Sequence, residues 1–97
     1  PNNGLEVHGP EGTLNVEVYP NPSASDVNLN FNFDQKHNIE LFVLDANGKL
    51  VHEVYFEKVK KAKKVIDTKA LGLKPGAYTL QFIIDDQQTL TKQIRVL

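Results

Sequence analysis

In the stretch Val27-Asn28-Leu29-Asn30-Phe31-Asn32-Phe33 every second residue is apolar and each one between is asparagine. Side chains of a β-strand point alternately to opposite faces, so this period puts the apolar set on one side and the amides on the other. One face must be buried and the other wet. Asparagine is a poor strand former, and the strand assignment therefore rests on the alternation, which outranks propensity because β-propensity mostly reports packing context. Burying Val27, Leu29, Phe31 and Phe33 contributes about 6–12 kcal/mol, from 1.5–3 per side chain. A slip of one residue would expose them and bury the amides at about 1–3 kcal/mol each if unpaired. The strand fixes its own orientation. Ahead of it, Pro20-Asn21-Pro22 must be a corner, because both prolines lack the backbone N–H and Pro22 drives Asn21 towards extended geometry.

A chain of 97 residues fits one domain that buries about 60–65% of the surface of its unfolded chain. A net charge of −1 gives no broad positive field, so nucleic acid is not an expected partner. Cysteine is absent, which removes disulfides, zinc-thiolate sites and cysteine nucleophiles together. Methionine is absent too, and the chain is expected to be a piece of something longer or a processed product. No run approaches the ~20 apolar residues of a membrane span, so direct membrane insertion is not expected.

Residues 1–12, rich in glycine and proline, read as a linker to a larger upstream protein, with a plain frayed terminus as the competing view. Residues 13–97 read as the folded part. Leu14, Val16 and Val18 alternate with polar neighbours and form a strand ending at Pro20. Asn21-Pro22-Ser23 resembles a glycosylation acceptor, but proline in the middle excludes it, and the amide is expected to serve the turn. A polar loop is expected over 34–38, then a strand over 39–45. Ala46-Asn47-Gly48-Lys49 marks a hairpin, either a type I′ turn with Asn47-Gly48 at its centre or a bulged loop with Gly48 in the left-handed position.

The return strand, Leu50 to Phe56, does not alternate cleanly, which implies a bulge or burial on both sides. Lys58, Lys60, Lys61, Lys63 and Lys64 follow. Val59, Ala62 and Ile66 also fit one short helical face, but an edge strand or loop guarded by lysine is the preferred reading. The run is a solvated surface by default and a contact for an anionic polysaccharide or acidic receptor in the sharper reading. Val65 to Thr68 forms a short strand, and Leu71 and Leu73 plug the crossover that ends at Pro75-Gly76. Tyr78, Leu80, Phe82 and Ile84 share one face of the next strand. Thr89 to Leu97 closes the chain, with Leu90, Ile94 and Val96 in phase with Lys92. The economical fold is all-β: an immunoglobulin-like antiparallel β-sandwich of about seven strands with Greek-key topology.

Catalytic chemistry finds no footing. His8, His37 and His52 lack ligand spacing and read as surface groups. Asp85 and Asp86 are neighbours whose side chains diverge, so solvation is expected for both. Asp45-Ala46-Asn47-Gly48 matches the opening of a calcium loop without its later ligands or distal glutamate. Phosphate-cradling loops and nucleophile elbows are missing from the sequence. The chain is read as a non-enzyme without cofactor or metal.

Val18-Tyr19-Pro20-Asn21-Pro22, the alternating strand, Val43 to Val51 around Asn47-Gly48, Ile66-Asp67, Leu73-Lys74-Pro75-Gly76-Ala77-Tyr78 and Thr91 to Val96 occur in that order. Together they resemble the C-terminal sorting domain, type A, of type IX secretion cargo. The resemblance covers residues 14–97, and either Leu71 or Leu73 can fill the leucine position of its pattern.

That resemblance implies a secretion address read by the type IX outer-membrane translocon. It further implies a cargo domain upstream in the same chain, removal by a sortase-like signal peptidase, and attachment of the cargo at the surface of a Gram-negative bacterium. Pro20, Asn21, Pro22, Asp45, Gly48, Gly76 and Tyr78 would preserve shape. Lys92, Ile94, Arg95, Val96 and Leu97 are candidates for recognition, since a terminal edge strand offers backbone and side chains together; a plain last core strand is the competing view. The alternative function is an immunoglobulin or fibronectin III-like accessory module that binds carbohydrate or protein. A monomer and a strand-swapped dimer are both compatible with the sequence.

Overall fold

The computed structural model describes the backbone of residues 6–9 and 12–97, with side chains from Leu14 onward. In chain order the strands are β1 (Glu6–Gly9), β2 (Gly12–Tyr19), β3 (Asp26–Leu44), β4 (Leu50–Asp67), β5 (Gly76–Ile84) and β6 (Gln88–Val96). Every strand pair is antiparallel. The all-β antiparallel expectation is met.

The alternating stretch does what its period requires. Val27, Leu29, Phe31 and Phe33 are buried, while Asn28, Asn30 and Asn32 lie on the opposite face. β3 is much longer than the sequence suggests, however, and serves two partners along one edge. Its first half pairs with β2, from Leu14↔Phe33 to Tyr19↔Asn28. Its second half pairs with β5, from Ile39↔Ile84 to Leu44↔Thr79. β4 follows the other edge throughout.

The two halves of β3 fold over one core. Phe31 of the first half meets Phe82 of β5 edge-on, with ring centroids 6.0 Å apart, and Phe56 of β4 at 5.9 Å. Alternate residues of β2, β3, β5 and β6 join in one buried cluster. Odd-numbered residues of β3 face inward on both sides of its bend, so the bend keeps the phase.

The segment expected as a loop over 34–38 is part of this strand. The register shifts between Asn32↔Lys61, His37↔Val59 and Ile39↔Phe56, which marks an irregular bulge. Lys58 takes a left-handed conformation there, φ 54, and its N–H donates to Asn38 Oδ1 at 3.0 Å. Apart from His37, which is buried, the polar residues of the segment occupy exposed positions along a bent strand, not a chain reversal.

The same merging corrects the strand count. The expected strands at 27–33 and 39–45 are one, as are those at 50–56 and 65–68, and the lysine run lies inside β4; six strands are described, not about seven. Of the two causes proposed for the irregular alternation of Leu50 to Phe56, the structure shows a bulge, where the register shifts between Val43↔His52 and Leu44↔Leu50, and not burial on both sides: Val54 and Phe56 pack against the core while Val51 and Tyr55 are exposed. Lys64 extends over the Phe56 ring at 5.5 Å, covering apolar surface while its charge stays wet. Within residues 1–12, expected as linker, Glu6–Gly9 pairs with β2.

Candidate functional site

The corner after β2 lies against the last strand. Both X–Pro bonds of Tyr19-Pro20-Asn21-Pro22 are cis. Flanked by residues without an N–H, the backbone here has few donors with which to extend a ladder. The Asn21 side chain takes over that role, since its amide carries a donor and an acceptor as a peptide group does. Asn21 Nδ2 donates to the carbonyl of Gln93 at 3.1 Å, and Asn21 Oδ1 accepts from the N–H of Arg95 at 3.0 Å.

Ser23 continues the pairing with its own backbone. Its N–H donates to the carbonyl of Arg95 at 2.9 Å, and its carbonyl accepts from the N–H of Leu97 at 2.8 Å. This is a short parallel bridge between Ser23 and Val96. Ser23 is buried, and its hydroxyl donates to the carbonyl of Asp26 at 2.7 Å while accepting from the N–H of Ser25 at 3.3 Å. The turn role expected for the Asn21 amide is thus replaced by contacts with the far end of the chain. Sequence reasoning quoted Ser23 in the motif but assigned it nothing, and no local pattern points from residue 23 to residue 95.

The recognition candidates divide by face. Ile94 and Val96 point into the core and are buried. Arg95 and Leu97 point outward and are exposed, and Lys92 is half-buried. For Ile94 and Val96 the plain reading as core of a last strand describes their position. The outward backbone groups of β6 at Gln93, Arg95 and Leu97 are taken up by residues 21 and 23, so this part of the strand is not an open edge.

The remaining motif residues shape turns. Asp45 Oδ1 accepts from the N–H groups of Asn47 and Lys49, both at 2.9 Å. The Asp45 N–H donates to the Lys49 carbonyl at 2.8 Å, closing the hairpin. Gly48 has φ 81, whereas Asn47 is not among the residues of positive φ, so the loop is the bulged form and not type I′. Gly76 sits at φ 151 at the start of β5. The Tyr78 hydroxyl donates to the carbonyl of Lys74 at 2.6 Å, tying the crossover to β5. In that crossover Leu73 packs against the core and Leu71 is exposed.

One buried polar pair escaped the sequence reading. His37, expected at the surface, is 4% exposed, and its Nδ1 lies 2.5 Å from Asp85 Oδ2. The His37 ring also meets Phe33 edge-on at 5.2 Å. Asp85 is not merely solvated: its Oδ1 accepts from the Asn38 N–H at 2.8 Å. Partial burial acts to raise the Asp85 pKa, but the hydrogen bonds from His37 and Asn38 and the electrostatic attraction of His37 outweigh it, and the net shift is downward. The pair pins the β5–β6 turn to the bulge of β3. Among the described residues no three His, Cys, Asp or Glu side chains are grouped to hold a metal ion.

A family model for the secretion system C-terminal sorting domain matches residues 17–96, from the middle of β2 to the end of β6. No curated protein matches the chain.

Proposed function

Because this chain belongs to the family of secretion system C-terminal sorting domains, which marks it as a type IX secretion signal, we propose that it is a shape-dependent address. In this reading it works as a folded body, and the type IX translocon recognises that body rather than a linear peptide. The observation that carries it is the clamp between Asn21 and Ser23 and residues 93–97. The proline motif and the terminal strand are far apart in sequence but form one built structure, as expected if both serve a single label.

The finer steps belong to the same proposal. The segment ahead of β1 links the domain to a cargo, a sortase-like peptidase removes the domain after export, and the cargo stays at the surface of a Gram-negative cell. None of these roles asks the domain for catalysis. They need a stable surface and a cleavable connection.

The test is a fusion of all 97 residues behind a periplasmic reporter in a strain competent for type IX secretion. Reporter at the surface or in the medium supports the proposal, and retention in the periplasm refutes it. Mass spectrometry of the exported reporter reads cleavage directly: loss of the Leu97 end supports removal. A product that keeps that end favours an accessory binding module.

A further inference from the structure

We propose that the partner reads the outer face of the β5–β6 half of the sheet through its side chains, not the edge of β6 by strand addition. The inference rests on the sorting function proposed above and names the surface that performs it.

Strand addition needs a free row of outward N–H and C=O groups. Over residues 93–97 that row is already bonded to Asn21 and Ser23. A competing strand would have to displace a built-in one. What β6 does present freely is its outward side chains, with Thr91, Gln93 and Arg95 all exposed.

The register places these beside an apolar strip. Thr89 pairs with Ile83, Ile83 with Glu40, and Glu40 with Tyr55 across four strands. In the next row Thr91 pairs with Gln81, Gln81 with Phe42, and Phe42 with Glu53. Ile83 and Phe42 are half-exposed on this outer face, and Tyr55 is 55% exposed. The outer face of the other half provides the contrast. There two rows run Glu17–Asn30–Lys63 and Asn15–Asn32–Lys61, all amides and charges, and the exposed apolar side chains, Tyr19 and Val65, stand apart on either side of Asn28 in the row at its end.

An apolar centre with a polar rim is the anatomy of a protein-binding surface. The face is polarised: Glu40 sits between Ile83 and Tyr55, Glu53 lies beside Phe42 on β4, and Arg95 lies at the β6 end. The occupant is therefore a folded protein surface of the secretion machinery, with an apolar patch for Phe42 and Ile83. It sets a lysine or arginine against Glu40 and Glu53 and a carboxylate against Arg95. Next to Tyr55 and Ile83 the face dips into a cleft of about 160 Å³ also lined by Glu40 and Asp86, room for one long side chain.

The experiment uses the reporter fusion with charge and bulk changes confined to exposed positions. Thr91→Arg with Arg95→Glu alters the proposed face and leaves the backbone bonds of Arg95 to the clamp intact. Lys61→Glu with Lys63→Glu alters the opposite face as a control. Thermal melting of the purified domains confirms that each stays folded. Export falling roughly tenfold or more for the first pair and not the second supports the proposal, the scale being that of a reversed charge set against a complementary surface. Normal export of a folded first pair overturns it while the sorting function stands. A wild-type fusion that stays in the periplasm removes the sorting function itself, and this inference with it.

Discussion

Asn21 and Arg95 are 74 residues apart in the chain, yet the carboxamide oxygen of the first accepts the backbone hydrogen of the second at 3.0 Å. With the Gln93 bond from the same side chain, a single exposed amide joins the β2 corner to β6.

Asn21→Ala removes both bonds and is expected to lower stability by about 1–2 kcal/mol, read by urea denaturation. Hydrogen exchange at the Arg95 amide should accelerate more than exchange at the core of β5. Asn21→Asp keeps the acceptor and loses the donor, so protection of the Arg95 amide should survive in that variant. Equal exchange at Arg95 in all three proteins would show that the clamp does not hold in solution.

Tyr78→Phe deletes the hydroxyl that meets the Lys74 carbonyl at 2.6 Å and leaves the buried ring in place. The expected loss is about 1 kcal/mol, with an unchanged dependence on denaturant because no additional surface is exposed. Tyr78→Ala also empties the ring site and should cost about 3–5 kcal/mol. The gap between the two variants measures packing against hydrogen bonding.

Asp85 gives stability a signature at low pH. Its folded pKa lies below the ordinary value of 3.8, so its contribution is complete above that value and disappears as the pH falls through the lower folded one. Wild type and Asp85→Asn should therefore differ most at neutral pH and converge under acid. Chemical denaturation from pH 2 to pH 7 tests this, and a constant difference across the range would contradict the His37 and Asn38 contacts as its source.

Gly48 occupies φ 81 with open space where a Cβ would go, so its cost of substitution is conformational and not steric crowding by neighbours. Gly48→Ala is expected to destabilise by about 1–2 kcal/mol. Gly48→Asn should recover part of that loss, since asparagine tolerates the left-handed region better. Thermal melts of the two variants decide it.

The legible part of the fold was the part whose information is local. Val27 to Phe33 and Tyr78 to Ile84 announce their buried faces by alternation alone, and Gly48 announces its turn. The bend of β3 hid because Asp34, Gln35 and Lys36 are polar for the same reason loop residues are: they meet water. Lys58 to Lys64 lie in β4, yet the bulge breaks the period by which a strand is read. Leu73 could be separated from Leu71 only by seeing which one reaches the core.

The site was half legible. The motif residues and the terminal strand were both marked, and the resemblance placed them in one family pattern. Their contact was not readable, because Asn21 and Arg95 are brought together by strands whose pairing no short segment encodes. Burial of His37 depends likewise on Asp85 arriving from another turn.

The hydrogen bonds of Ser23 carry a consequence for timing. Its N–H and carbonyl are satisfied by residues 95 and 97, which leave the ribosome after every other part of the sheet. Until those residues emerge, the early half of the domain holds an unfinished seam and Ser23 waits without its pair. A polypeptide that lacks those residues thus cannot display the completed surface, and the seam closes only once both ends of the sheet are present.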